Sequence, residues 1–204
     1  MTLNQFMLWT ATDANRYWSR SFASANRRYL PAFVHVVDTN GQGRSNCSDG
    51  LVNSADGPFY CSEDYSCGVV VGTLRGCGEI FLTAEWFATQ PRRYGDFAIS
   101  MVVAHEWGHH VQDLLGILQA KATGRIKTIQ TELQADCLAG AWANSVYYQG
   151  LLESGDVEEA AGFAYAIGDD LPWDHEQAHG TPQRRAQWFM YGYNTGNPSR
   201  CKTF

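Results

Sequence analysis

The segment at residues 102–111, VVAHEWGHHV, places three histidines and one glutamate inside an otherwise apolar stretch of the chain. Its apolar residues predict a buried helix over residues 97–116, with Asp96 as the N-cap and Gly116 near the end. Burying two histidines and a carboxylate costs several kcal/mol unless these groups are paired or bind a metal. The fold of this chain must therefore supply partners for a polar cluster within its core.

The spacing of the cluster is that of a metal site. His105 and His109 are four positions apart, so on a helix their side chains project from one face, one turn apart. Two imidazole nitrogens can then bind the same ion at about 2.0–2.1 Å. Glu106 can reach a water on that ion without being a ligand, which is the work of a general base. His110 points elsewhere and is interpreted as an ordinary surface or core histidine.

A catalytic zinc site usually has three protein ligands and one free position, so a third ligand is needed. The metzincin extension, with a further histidine after His109, is absent. The segment ELQAD, residues 132–136, lies in a second predicted helix at about 131–149 and places Glu132 and Asp136 on one face. We expect Glu132 to be the third ligand and Asp136 to accept the free N–H of a ligand histidine. The alternative is a solvated helix face, which the apolar neighbours of both residues disfavour.

Small residues in this second helix are expected to let it approach the first one closely; they are Ala135, Ala139, Gly140 and Ala143. Before the metal motif, the sequence predicts an early helix at 12–29 capped by Thr12 and short strands at 32–37, 57–62 and 79–83. After the motif it predicts a loop or frayed helix at 119–130 and a helix at 156–168 with a capping box of Asp156 and Glu159. A last helix begins at Thr181 and Pro182. This order predicts the α+β class, a mostly helical bundle with a small N-terminal β-sheet.

Six cysteines are present, and four of them lie between residues 47 and 77. Six cysteines allow 15 pairings, and the sequence does not choose among them. Short loops favour Cys47–Cys61 and Cys67–Cys77, which leaves Cys137 with Cys201. The alternative is a set of reduced cysteines in a cytosolic protein. We expect disulfides, and therefore an oxidising compartment.

Length and charge narrow the function further. A chain of 204 residues that is 45% hydrophobic predicts a single domain, with a helix and a stapled sheet in residues 1–95 and the helical part in 96–204. The net charge of −6 and the lack of a basic stripe argue against a nucleic-acid partner. No apolar run approaches the roughly 20 residues of a membrane span, and residues 1–10 lack the features of a signal peptide. We expect an extracellular or cell-envelope protein, secreted or tethered by an anchor outside this sequence.

Several segments together resemble the bacterial neutral zinc metallopeptidase family; they are AHEWGHHVQDLLG, ELQADCLAGAWA, GDD and HGTPQRRAQWFMYGYNTGNPSRC, in that order. WSRSF and GPFYC fit the same pattern, so the resemblance covers nearly the whole chain. The motif H-E-x-x-H followed by E-x-x-x-D is also similar to that of gluzincin peptidases with a glutamate ligand. The resemblance implies a zincin-like fold with the sheet above the metal helix, one Zn²⁺ ion, His105, His109 and Glu132 as ligands, and Glu106 as base.

The gluzincin-like peptidases also carry a histidine followed six residues later by an arginine, a spacing shared by His179 and Arg185. The resemblance implies that His179 stabilises the oxyanion of the tetrahedral intermediate. The alternative is a histidine that merely braces a helix start. Arg185 is expected to be structural, pairing with Asp169 or Asp170. The sequence departs from the family pattern in an insert at residues 62–78, which bears on the cleft rim rather than on the metal site.

These residues predict a zinc-dependent endopeptidase that hydrolyses peptide or protein substrates with a metal-activated water and Glu106 as general base. An extended substrate is expected to pair with a sheet edge, for which residues 79–83 are the candidate. Two alternatives stay open. One is a secreted, non-catalytic binding domain whose structural zinc takes a fourth ligand from His179 or Asp170. The other is a zinc hydrolase of a non-peptide amide. The sequence makes no prediction of the oligomeric state.

Overall fold

The computed structural model describes residues 1–38, 40–48, 50–63 and 77–204. The chain forms two compact units, Met1–Gln90 and Pro91–Phe204. A small sheet lies in the first unit and five helices lie in the second, so the chain has the predicted mixed α+β class. Within the described residues, every helix is too short or too polar to cross a membrane.

The first helix, α1, spans Leu3–Ser24 and begins well before the predicted start. Its N-cap is Thr2, whose hydroxyl accepts a hydrogen bond from the backbone N–H of Gln5, while the Gln5 side chain accepts one from the Thr2 N–H. The predicted cap, Thr12, lies inside the helix, where its hydroxyl donates to the Leu8 carbonyl at 2.7 Å. A mid-helix threonine forms this bond without ending the helix, so the prediction of a cap at Thr12 was wrong.

Three strands form the sheet of the first unit: β1 at Phe33–Val37, β2 at Phe59–Cys61 and β3 at Glu79–Thr83. The order is β1-β3-β2, with β1 parallel and β2 antiparallel to β3. The strand at 79–83 is therefore central and buried, and the prediction that it forms a sheet edge was wrong. It pairs with β1 over residues 79–83 and with β2 over residues 79–81. A short helix that the sequence analysis missed, α2 at Ala84–Thr89, follows directly.

A disulfide between Cys47 and Cys61 joins the segment between β1 and β2 to the end of β2. Cys61 also packs with Val37, Val52 and Phe81 in the core of this unit. Cys67 lies outside the described residues, as does most of the insert at 62–78. The predicted Cys67–Cys77 pair therefore stays a prediction.

The second unit contains α3 at Asp96–Leu114, α4 at Ile117–Ala122, α5 at Thr128–Tyr148, α6 at Asp156–Ala166 and α7 at Pro182–Thr195. The N-cap of α3 is Gly95 rather than the predicted Asp96, and the N-cap of α6 is Gly155. Glu159 does not close a capping box on α6; its carboxylate accepts a hydrogen bond from the Phe97 N–H in the first turn of α3. Gly95 has φ 118°, and the Glu159 carboxyl occupies the place of a side chain there.

Glycine contacts set how closely α5 approaches its neighbours. A Cβ on Gly108 of α3 would lie 2.9 Å from the Cα of Ala135, so these two helices meet backbone to backbone. Gly140 does not face α3 as predicted, because its open side lies against the Phe189 carbonyl of α7. Gly192 of α7 in turn lies against the carbonyl of Cys137 on α5.

We expect Gly140→Ala to destabilise the protein, because the new Cβ would collide with the Phe189 carbonyl. Overpacking of this kind lowers the free energy of unfolding by about 1–3 kcal/mol, measurable by urea denaturation. The control is Gly162→Ala in α6, where the nearest atom to a Cβ is 3.9 Å away. This substitution should raise the free energy of unfolding by about 0.5–1 kcal/mol. Equal stability of Gly140→Ala and the parent would contradict the close contact.

Candidate metal centre

The structure brings the three predicted ligands together in the second unit. The Nε2 atoms of His105 and His109 on α3 are 3.2 Å apart. Glu132 on α5 places Oε2 3.2 Å from His105 Nε2 and Oε1 3.4 Å from His109 Nε2. Gly108 lies between the two histidines and contacts Ala135, one turn from Glu132. The close approach of the helices at that contact therefore brings the three donors into one group.

The donor set fits a zinc ion. Three ligands held at 2.0–2.1 Å in a tetrahedral arrangement are about 3.3–3.4 Å from one another. The separations in the structure, 3.2, 3.2 and 3.4 Å, agree with this geometry. Two imidazoles and one carboxylate are also a ligand set of catalytic zinc sites. In the described part of the chain, no further His, Cys, Asp or Glu joins the group, so one tetrahedral position has no protein ligand.

Charge around the donors favours a cation. Burial lowers the pKa of His105, but hydrogen bonds to Asp136 and Glu132 outweigh burial and raise it to about 10. Burial would raise the pKa of Glu132, but the imidazoles of His109 and His105 hold it well below its usual value. The point surrounded by these atoms therefore attracts positive charge, whether that of a proton or that of a metal.

Glu106 follows the first ligand on α3 and is 6% exposed. Burial raises its pKa, against the opposing effect of His105 and His109. Its carboxylate forms no hydrogen bond to the residues that the structure describes, although solvent still reaches its oxygens. A carboxylate with a raised pKa and free oxygens has the properties of a general base.

Asp136 supports His105 from the side away from the ligand group. Its Oδ1 accepts the Nδ1–H of His105 at 2.9 Å, which leaves Nε2 for a metal. Arg185 on α7 holds the same carboxylate with two bonds of 2.8 Å, Nε to Oδ2 and Nη2 to Oδ1. The guanidinium outweighs burial and lowers the pKa of Asp136. The predicted pairing of Arg185 with Asp169 or Asp170 was wrong.

Gln112 supports His109 and was missed by the sequence analysis. Its Oε1 lies 2.9 Å from His109 Nδ1, on the same helix face and three positions further on. That spacing is the signal that could have found it, because residues i and i+3 are neighbours on a helix. Both histidines thus have a hydrogen-bond acceptor at Nδ1 and direct Nε2 toward Glu132.

His179 does not belong to the ligand group. Its backbone N–H and its Nδ1–H both donate to Asp169 Oδ2, each at 2.9 Å, and its side chain is half exposed. The preceding Ala178 packs against Leu133 of α5, and Gly180 approaches the same leucine. The loop that carries His179 is therefore held against the turn of α5 that contains Glu132. Asp170 is exposed and is not part of the group either.

We expect Arg185→Met to lower the free energy of unfolding by about 3–5 kcal/mol, because it removes the guanidinium that makes two hydrogen bonds to the buried Asp136 carboxylate. Urea denaturation of the metal-free protein measures this loss. Arg184→Met is the control: Arg184 is exposed and stacks 4.8 Å above the Trp173 ring, a contact worth about 0.5–1 kcal/mol. Similar losses in both variants would show that the buried ion pair is not a main source of stability.

Comparison with known proteins identifies the family of the chain. The profile of one family, described as putative neutral zinc metallopeptidase, matches residues 2–204. YpfJ of Escherichia coli K12 is 37% identical over 208 residues, covering 92% of this chain and 66% of the relative. Rv2575 of Mycobacterium tuberculosis H37Rv is 34% identical over 230 residues, covering 96% and 73%. The chain thus spans about two thirds of the E. coli relative. Both relatives are described as uncharacterized proteins, and no solved structure matches the chain.

Proposed function

Because the chain belongs to the neutral zinc metallopeptidase family, we propose that it is a zinc-dependent endopeptidase. The observation that carries the proposal is the buried group of His105, His109 and Glu132, with Glu106 beside it. The proposed substrate is a peptide or protein, and the proposed cofactor is one Zn²⁺ ion bound by these three ligands.

When bound there, Zn²⁺ supplies Lewis-acid chemistry, polarising a carbonyl oxygen and lowering the pKa of a water to about 7. The residues of the chain do the rest. Glu106 takes a proton from the attacking water on its carboxylate and delivers it to the nitrogen of the leaving amine. Asp136 and Gln112 hold the two histidines with Nε2 directed toward the ion. Glu132 completes the ligand set and offsets part of the charge of the ion.

His179 is proposed as the group that stabilises the oxyanion. Its Nδ1–H is donated to Asp169, so Nε2 carries a second proton for donation only in the imidazolium form. The carboxylate of Asp169 is a suitable partner for that form, and hydrogen bonds from His179 outweigh burial and lower the pKa of Asp169. The loop position beside α5 supports the proposal, because it keeps His179 next to the turn that carries Glu132.

The three-ligand group favours catalysis over a purely structural zinc site. A structural site is normally closed by four protein ligands. The described residues supply three, and Nδ1 of His179 is already engaged by Asp169. A zinc hydrolase of a non-peptide amide would use the same groups, and digestion of a peptide library distinguishes it from a peptidase.

The finer parts of the sequence prediction belong to the same proposal. We propose a zincin-like arrangement and a location outside the cytosol, in the cell envelope or the medium. The disulfides Cys47–Cys61 and Cys137–Cys201 support that location, because such bonds persist in oxidising compartments.

We expect Glu106→Gln to reduce kcat for peptide hydrolysis by about 10²–10⁴-fold, because the amide cannot accept the proton of the water. Zinc content, measured by plasma mass spectrometry, should stay near one ion per chain. Glu158→Gln is the control, since Glu158 is exposed on α6 and far along the chain from the motif. Retained turnover in Glu106→Gln would contradict the assignment of the base.

We expect His179→Ala to reduce kcat by about 10²–10³-fold with little change in KM, as loss of an oxyanion donor does. Zinc affinity should be unaffected, because His179 is not in the ligand group. The control is His175→Ala, an exposed histidine of the same loop. If both variants keep parental kcat, His179 only braces the loop.

A further inference from the structure

We propose that Gln112 and Gln134 form a directional hydrogen-bond relay, which starts at the backbone carbonyl of Cys201 and ends at His109. The relay fixes the tautomer of the His109 imidazole. The two glutamines are positioning residues in this proposal, since they act on the metal site through His109. The inference rests on the proposed zinc site and goes beyond it by assigning a role to the segment at residues 201–203. We call the chain of bonds from Cys201 to His109 the glutamine relay.

The relay consists of three consecutive hydrogen bonds in the second unit. Gln134 Nε2 donates to the Cys201 carbonyl at 2.8 Å. Gln112 Nε2 donates to Gln134 Oε1 at 3.1 Å. Gln112 Oε1 lies 2.9 Å from His109 Nδ1. Gln112 is fully buried and Gln134 is 8% exposed, so the bonds lie in a medium in which an unmatched polar group is costly.

Only one direction of the relay satisfies every group. A backbone carbonyl can only accept, so the Cys201 carbonyl requires the NH₂ group of Gln134. Oε1 of Gln134 then faces Gln112 and requires the NH₂ group of that residue. Gln112 must therefore turn Oε1 toward His109, where it can only accept. His109 in turn must carry its proton on Nδ1, which leaves the lone pair of Nε2 for the metal.

A second acceptor strengthens the same direction. Gln112 Nε2 also donates to the Thr131 carbonyl at 2.7 Å. Reversing the Gln112 amide would place its oxygen against this carbonyl and against Gln134 Oε1, with no proton between them. The orientation of Gln112 thus has two supports on α5, and loss of Gln134 removes one of them.

The Cys201 carbonyl is a fixed starting point because the segment at 201–203 is bound along α5. A disulfide joins Cys201 to Cys137. Thr203 exchanges two bonds with Gln130, its hydroxyl donating to the Gln130 carbonyl at 2.6 Å and its carbonyl accepting from Gln130 Nε2 at 3.1 Å. Gln130, Gln134 and Cys137 recur at spacings of four and three, so one stripe of α5 holds the whole segment.

The relay gives His109 a different kind of support from that of His105. The partner of His105 is a carboxylate held by an arginine, whereas the partner of His109 is a neutral amide held by other neutral groups. A neutral acceptor orients the imidazole and selects its tautomer without adding charge to the site. Loss of such a partner typically weakens metal binding by about 10–100-fold.

Two readouts test the relay. Zinc affinity is measured by competition with a chromophoric chelator. The tautomer is read in the metal-free protein from the ¹⁵N shifts of His109, assigned with a His109→Asn variant. We expect Gln112→Leu to weaken zinc binding by about 10–100-fold and to lose the pure Nδ1–H form. Gln112→Glu keeps an acceptor for Nδ1–H, and it should keep the tautomer when its other oxygen, which faces the Thr131 carbonyl and Gln134 Oε1, is protonated.

Gln134→Leu should change both readouts less than Gln112→Leu, because Thr131 still orients Gln112. Combined with Gln112→Leu it should cause no further loss, since Gln134 acts only through Gln112. The matched control is Gln130→Met, which removes a glutamine of the same helix that also binds the 201–203 segment but has no bond to Gln112. It should leave zinc affinity and tautomer unchanged, because the Cys137–Cys201 disulfide and the bond from the Thr203 hydroxyl to the backbone carbonyl of residue 130 still hold the segment.

Unchanged readouts in Gln112→Leu, or an Nε2–H tautomer in the parent, would overturn the relay. So would a loss from Gln134→Leu that adds fully to that of Gln112→Leu. If Gln112→Leu does not fold, Gln134→Leu decides the question, because unchanged zinc affinity and tautomer in that variant would overturn the relay. A parent that binds no zinc but shows a Gln112-dependent Nδ1–H tautomer would contradict the proposed function and support the relay.

Discussion

The second unit is organised around buried charge. Glu106, Glu132 and Asp136 are three carboxylates in its interior, and Arg185 is the guanidinium buried with them. With neutral imidazoles these groups leave two negative charges, which the proposed Zn²⁺ ion would neutralise. Uncompensated charge in a protein interior costs several kcal/mol per ion, so the packing of α3, α5 and α7 has to keep these groups within reach of one another. The glycine contacts at 108, 140 and 192 make that packing possible.

Local spacing was enough to predict the parts of the site that lie on one helix. The pairs 105/109 and 132/136 follow from helical periodicity, and the structure places them on facing helices. Arg185 could not be placed in this way, because it meets Asp136 across 49 positions of sequence and local patterns do not choose such partners. Gln112 follows from the same periodicity, because it lies three positions after His109, but an amide is a weaker sign of a metal site than the histidines and the glutamate beside it.

The errors in predicting the fold from the sequence have a similar origin. The strand at 79–83 was predicted at the right residues. Its central place in the sheet depends on which strands pair with it, and the sequence of a single strand does not determine strand order. Thr12 has the side chain of a cap, yet the helix continues through it because residues 3–11 are also helical and Thr2 with Gln5 closes a better cap. In both cases the sequence predicted the element itself. Residues outside it determine where the helix begins and which strands flank the strand.

The contact between Gly108 and Ala135 also bears on the geometry of the proposed metal site. It sets the distance between α3 and α5, and with it the separation of 3.2 to 3.4 Å among the donor atoms. An ion such as Ca²⁺, which needs six to eight oxygen ligands, does not suit a group of two imidazole nitrogens and one carboxylate. A glycine that binds nothing thus sets the geometry of the proposed site, because the backbone spacing of two helices fixes how close its donors lie.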